Sequence, residues 1–252
     1  MAANYSWISY TDPNGRLFRI LKTSASNIKP VNLYRATGAC QEVSESGYYG
    51  MNSSFFNSTP SAERYPAILN IAYQGGNNVG CGIVLTVYGS KYLDGVVNVI
   101  GSSLIYWTGS SLGCASDVLD SSSSVVPKGS NSWAQGGIGL YLCDRNWQDK
   151  FSAEPNTGDY TFSSAKSRTS ILINKSTKSV YLIACGSPVT IGELRTAIMS
   201  YAGLTEGGSA GSWAAIMTDG GQSTQLYCGE GSCKNYMGIR SVPQILALKN
   251  KA

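Results

Sequence analysis

Residues 169–203, TSILINKSTKSVYLIACGSPVTIGELRTAIMSYAG, decide the reading of the fold. Two apolar runs, 169–174 and 179–185, flank the polar tetrapeptide KSTK, and that alternation of β-formers with a short turn predicts a β-hairpin. Thr190 then stands three residues before Glu193, and Leu194, Ala197, Ile198 and Tyr201 recur at helical spacing until Gly203. This is a capping box opening a helix, and it accounts for Glu193 as a device of the helix N-terminus rather than of chemistry.

Downstream, WAAIMT at 213–218 is a short strand of buried type that runs straight into Asp219-Gly220-Gly221, and PQILALK at 243–249 is a last core strand. Upstream, RLFRILK, PAILNIAY, GIVLTVYG, DGVVNVIGSSLIYW and GGIGLYLC are strand candidates separated by turn residues. The Ser-rich stretch 119–133 is a loop within the chain. The expected architecture is α+β, one domain over residues 1–252, with a mixed, mostly antiparallel sheet and few helices.

Composition narrows the chemistry. Charged residues are 13% of the chain and the net charge is +4, without a run of like charges, so nucleic-acid binding has no support. No apolar stretch approaches the roughly 18–20 residues that a spanning helix needs, and the opening MAANYSWISYTDPNG lacks the layout of a signal peptide. A soluble, unexported protein of a bacterial or phage-infected cytoplasm is expected, its oligomeric state open. The seven cysteines follow no metal-ligand spacing and are read as free thiols, Cys228 and Cys233 included.

There is no histidine, which removes imidazole zinc sites, Ser-His-Asp triads and Cys-His dyads together. Acid or base work falls to a carboxylate, Tyr, Lys or Cys, and neither a metal nor a cofactor is expected. Cys185 at a strand end is read as a buried, inert thiol, because nothing in the sequence supplies its activation. Tyr106, Trp107, Trp133, Tyr141 and Trp147 are read as packing residues rather than sugar-stacking platforms.

The segment AAIMTDGGQSTQL carries most of the functional signal. A carboxylate at a strand end, two glycines that turn sharply, and the polar groups of Gln222, Ser223 and Thr224 together suit an anion or a sugar hydroxyl. The same residues also make an ordinary Asp-Gly-Gly turn.

The order of pieces is more specific. GYYGMNSSFFN, KSRTSILIN, VYLIACG, VTIGELRTAIMSYAG, WAAIMTDGGQSTQL and GIRSVPQILAL resemble, in sequence and in order, the phosphodiester glycosidase family. The resemblance covers residues 48–57 and roughly 166–248. Ser53 and Ser54 stand where that family has glycines, Gln222 replaces a third glycine after Asp219, and Ala184-Cys185-Gly186 lacks an acidic residue common in relatives.

The resemblance implies hydrolysis of a sugar, such as one of N-acetylglucosamine type, linked through its anomeric carbon to a phosphodiester. It makes Asp219 the catalytic candidate, with Asn52, Arg168, Gly220, Gly221, Gln222, Ser223, Thr224 and Arg240 as substrate- and phosphate-binding candidates. The expected partner is a small-molecule or glycan phosphodiester. A second carboxylate would come from Asp144, Asp149 or Glu154. Two alternatives stand beside this reading: a non-catalytic phosphosugar- or carbohydrate-binding protein, and a hydrolase of the same scaffold acting on a nucleotide-derived or cell-wall substrate.

Overall fold

The computed structural model describes residues 4–57, 67–158, 160 and 162–250. The first strands are β1 (Tyr5–Thr11), β2 (Leu17–Ser24) and β3 (Ile28–Asn32), followed by the single-turn helix α1 (Leu33–Thr37). Seven short strands come next: β4 (Gly50–Asn52), β5 (Ala72–Gln74), β6 (Asn77–Asn78), β7 (Val84–Val87), β8 (Ser90–Leu93), β9 (Ser103–Trp107) and β10 (Leu112–Ala115). Then follow β11 (Trp133–Gly139), α2 (Trp147–Ala153), β12 (Lys166–Asn174), β13 (Ser179–Val189), α3 (Ile191–Tyr201) and β14 (Trp213–Thr218). The chain closes with β15 (Gln225–Cys228), β16 (Gly231–Lys234) and β17 (Gln244–Leu248).

A ten-stranded sheet runs β1-β2-β13-β12-β14-β11-β5-β6, with β9 and β10 branching from β11, and a five-stranded sheet runs β16-β15-β4-β17-β3. Among the described residues every strand pair is antiparallel, so the mixed sheet expected from sequence is replaced by antiparallel pairing throughout. The helices are few and short, so the molecule is mostly β rather than an even α+β mixture.

The hairpin forms as expected, Ile171 opposite Leu182 and Asn174 opposite Ser179, but both strands extend further toward Lys166 and Val189. Its central stretches, 171–173 and 180–185, are apolar on successive residues because both faces are covered. One face, with Ile171, Ile173, Val180, Leu182 and Ile216, packs on Met51, Leu226, Leu246 and Leu248 of the second sheet. The other, with Leu172, Ile183, Ala215 and Met217, packs under Ile191, Leu194, Ala197 and Ile198 of α3 and Phe151 of α2. Each such side chain removed from water is worth about 1.5–3 kcal/mol, which makes the hairpin the centre of the core.

Helix α3 begins with the expected box: Thr190 Oγ1 accepts from Glu193 N at 3.2 Å, and Glu193 accepts from Thr190 N at 2.7 Å. The upstream runs are shorter strands than their apolarity suggested. Of PAILNIAY, Pro66 lies outside the described residues and only Ala72 and Tyr73 enter a strand. Asn70 instead turns inward, accepting from Phe55 N at 3.0 Å and donating to Ile100 O at 2.7 Å. In the same way Asn98 serves Ile71 N and Val118 O, so DGVVNVIGSSLIYW becomes strand only from Ser103. GGIGLYLC is strand only to Gly139, after which the chain leaves the sheet.

All seven cysteines are free thiols. Leu226 faces Cys233 and Cys228 faces Gly231 across β15 and β16, so Cys228 and Cys233 are not cross-strand partners. No helix among the described residues is long and apolar enough to cross a membrane.

Candidate active site

Asp219 follows directly on the carboxyl end of strand β14, where its backbone is held from three sides. Asp219 N donates to Ser53 O at 2.9 Å, and Asp219 O accepts from Asn52 Nδ2 at 2.6 Å and from Thr169 Oγ1 at 2.5 Å. Asn52 Oδ1 in turn accepts from Gln225 N at 2.9 Å, so one buried amide ties both ends of the Asp219–Gln225 loop. Asn52 is thereby a positioning residue, its amide engaged by the protein at both ends.

The loop turns at Gly220 and Gly221. A Cβ on Gly220 would lie 2.7 Å from Ser167 O, and Gly221 adopts φ +60°, so both positions require glycine for stated reasons. The backbone N–H groups of this turn are largely engaged within it. Ser223 N and Thr224 N close the short turn onto Gly220 O and Gly221 O at 3.2 Å each, while Gly220 N donates to the Asp219 carboxylate.

The Asp219 carboxyl group is closely surrounded by protein, although the residue keeps part of its surface open. That burial pushes its pKa up to about 6, against opposing hydrogen bonds from the Ser223 hydroxyl and Gly220 N and the nearby Arg240 charge. Ser53 Oγ and Thr224 Oγ1, which flank the same turn, are buried without a hydrogen-bond partner among the described residues.

Arg240 stands over this loop. Its Nη2 donates to Gln222 Oε1 at 3.0 Å and its backbone N donates to Gln222 O at 3.0 Å. Its guanidinium lies 5.7 Å from the Phe56 ring centroid, and the residue stays exposed. A cation anchored by its backbone and presented to solvent beside the partly exposed residue Asp219 suits a phosphate oxygen.

Arg168 is placed differently. It is 3% exposed, with Nη2 donating to Ser164 O at 2.8 Å and Nε to Val189 O at 3.3 Å, and Nη1 lying 3.9 Å from Met217 Sδ. Among the described residues no carboxylate forms an ion pair with it, and burial lowers its pKa. It therefore adds positive potential beneath the site, while its donors serve backbone carbonyls.

The second-carboxylate candidates serve other purposes. Asp144 pairs with Lys150 at 2.5 Å, and Asp149 lies in the first turn of α2. Glu154 accepts from Gly139 N at 2.6 Å, Ser103 N at 3.1 Å and Tyr141 Oη at 2.8 Å, locking β9 to β11. Cys185 is fully buried, its thiol pushed up to about 11 by burial, and so is inert.

Sequence reasoning missed the polar layer beneath the loop. Gln244 Oε1 accepts from Ser54 N at 2.8 Å, its Nε2 donates to Gln135 Oε1 at 3.0 Å, and Gln135 Nε2 donates to Ser54 Oγ at 3.0 Å. Gln225 spans from Val43 N at 2.8 Å to Arg240 O at 2.7 Å. The available signal was a lone glutamine opening or interrupting each of three apolar runs: WAQGG, TQLYC and PQILAL. Ser54, which replaces a glycine in the resemblance, earns its place by its bonds to Gln135 and Gln244.

No protein-family model and no curated protein sequence matches the chain. Solved structures do. The fold is similar to that of a phosphodiester glycosidase. The catalytic domain of zebrafish N-acetylglucosamine-1-phosphodiester alpha-N-acetylglucosaminidase, auto-inhibited by its pro-peptide, superposes with a TM-score of 0.55 at 12% identity, over 99% of this chain and 83% of that one. A Burkholderia pseudomallei protein superposes with a TM-score of 0.54 at 12% identity, over 92% of this chain and 74% of the other. At such identity the likeness is one of fold alone.

Proposed function

We propose that the protein is a hydrolase that cleaves a sugar from a phosphodiester at the anomeric carbon, with Asp219 as its catalytic carboxylate. The observation that carries this reading is the pairing of a half-open Asp219, its pKa near 6, with the anchored and exposed Arg240. The fold likeness to a phosphodiester glycosidase supports the same reaction class.

Arg240 binds the phosphodiester oxygens and orients the glycosidic bond over Asp219. The leaving phosphate monoester has a second pKa of about 6, so it departs as an anion with little need of a general acid. Asp219, largely ionised at neutral pH, stabilises the oxocarbenium-like carbon and takes the proton of the attacking water. The C–O bond to phosphate breaks, the water oxygen bonds the anomeric carbon, and the proton passes through Asp219 to solvent.

Turnover of sugar-1-phosphodiesters, including N-acetylglucosamine-1-phosphate esters and nucleotide sugars, by the wild type and by Asp219→Asn tests this. Turnover abolished in Asp219→Asn supports it. Saturable binding without turnover of any member assigns the site to phosphosugar binding instead.

A further inference from the structure

A depression of the described surface lies away from Asp219, toward the other end of β14. β11 stays bonded to β14 through Ile138 and Gly139, and Leu140 N reaches Ala215 O at 3.0 Å. Tyr141 then takes φ 42° and the chain turns away from the sheet, opening a gap beside Trp213 and Ala214. The gap is a cavity of about 340 Å³ bounded by Tyr141, Leu142, Trp213, Ala214, Cys114 and Ser116. It adjoins a second of about 250 Å³, which shares Ser116 and Tyr141 and adds Asp117, Lys150 and Glu154. Trp213 stands six positions from Asp219 along the chain, a span of about 20 Å, and the lining reaches along β14 as far as Ile216.

Two features mark this place as built. Tyr141 and Asp117, at φ 42° and 58°, are non-glycine residues in left-handed backbone conformations, an arrangement that costs energy and tends to gather where function demands it. Tyr141 is also held by its hydroxyl, which donates to the buried Glu154 at 2.8 Å, so the ring is fixed before any ligand arrives.

The lining selects its occupant. Tyr141 and Trp213 are half-buried rings over an apolar floor, while Ser116, Asp117 and Lys150 supply polar groups at the mouth. The lone cation there, Lys150, is tied to Asp144 at 2.5 Å, and two carboxylates share the second cavity, so a phosphate or other anion is disfavoured. A pyranose ring matches: apolar C–H faces against aromatic rings, hydroxyls against serine and carboxylate. We infer that this gap is a second, non-catalytic site for a neutral saccharide ring, separate from the phosphodiester site at Asp219.

The test uses Cys114, the one exposed cysteine of the seven, which lines the cavity. Its alkylation by iodoacetamide is followed by mass spectrometry in the presence of glucose, galactose, mannose, N-acetylglucosamine or inorganic phosphate. Asp219→Asn serves as host protein, so hydrolysis plays no part and the failure of one site does not imply failure of the other.

At least one neutral sugar should slow alkylation by about fivefold at four times its Kd, from simple mass action. Phosphate should not. Asp117→Gly, whose backbone suits φ 58°, should keep the fold and lose most of the protection. Protection by none of the sugars, protection by phosphate alone, or full protection in Asp117→Gly each overturns the assignment.

Discussion

Asn52 and Asp219, 167 residues apart in the chain, are joined by a 2.6 Å hydrogen bond from the Asn52 amide to the Asp219 carbonyl oxygen. The same side chain accepts from Gln225 N, so the Asp219–Gln225 loop is pinned at its two ends by one buried residue. Asn52→Asp removes the donor and sets an acceptor against an acceptor. A loss of about 2–3 kcal/mol in urea denaturation is expected, with turnover falling further than stability because the loop is no longer held.

The raised pKa of Asp219 has opposite consequences for activity and stability. The proposed role as proton acceptor requires kcat/KM to rise with pH through about 6 and level off above it. For stability, the folded state binds this proton more tightly than the unfolded chain, whose Asp titrates near 3.8. Stability therefore falls as pH rises from about 4 to about 6, then stays constant with respect to this group. Asp219→Asn should abolish turnover and, in thermal melts at pH 7, raise the midpoint relative to wild type.

Arg240 pulls the Asp219 pKa down against the effect of burial. Arg240→Gln should shift the acid limb of the kcat/KM profile upward from about 6. It should also raise KM for a phosphodiester, whereas Arg240→Lys recovers the limb better than the KM because an ammonium lacks the guanidinium fork. An unmoved acid limb in Arg240→Gln would show that the two side chains are not coupled.

Arg195, 2% exposed on α3, holds the chain that leaves β11. Its guanidinium donates to Leu140 O at 3.0 Å, Tyr141 O at 3.0 Å and Asp144 O at 3.0 Å, and pairs with Glu206 at 2.5 Å. Arg195→Met leaves these backbone carbonyls unserved, while the half-exposed Glu206 carboxylate turns to water, and should cost about 2–3 kcal/mol in denaturant unfolding. Arg195→Lys, which reaches only part of the set, should lie between the two.

The elements legible from sequence were those whose information is local. The KSTK hairpin, the Thr190–Glu193 capping box and the strand that ends just before Asp219 each depend on residues within a few positions of one another, and each formed as expected. The upstream runs misled because apolarity records burial and not extension. Asn70 and Asn98 spend their side chains on distant backbone groups and so break those runs into short strands. Arg168 shows the same limit. Its residue type suited phosphate, but its place in β12 points its donors at Ser164 O and Val189 O.

The sequence by itself narrowed the chemistry open to this protein: without histidine, acid or base work falls to a carboxylate, Tyr, Lys or Cys, and one carboxylate, Asp219, stands at a strand end before two glycines. Only the tertiary structure decided what surrounds that carboxylate. It brought Asn52, Thr169, Gln225 and Arg240 to one loop, and it set the burial that moves the pKa toward neutrality. Local sequence fixes dihedral preferences and strand ends, whereas desolvation and hydrogen-bond supply depend on which distant segments pack together.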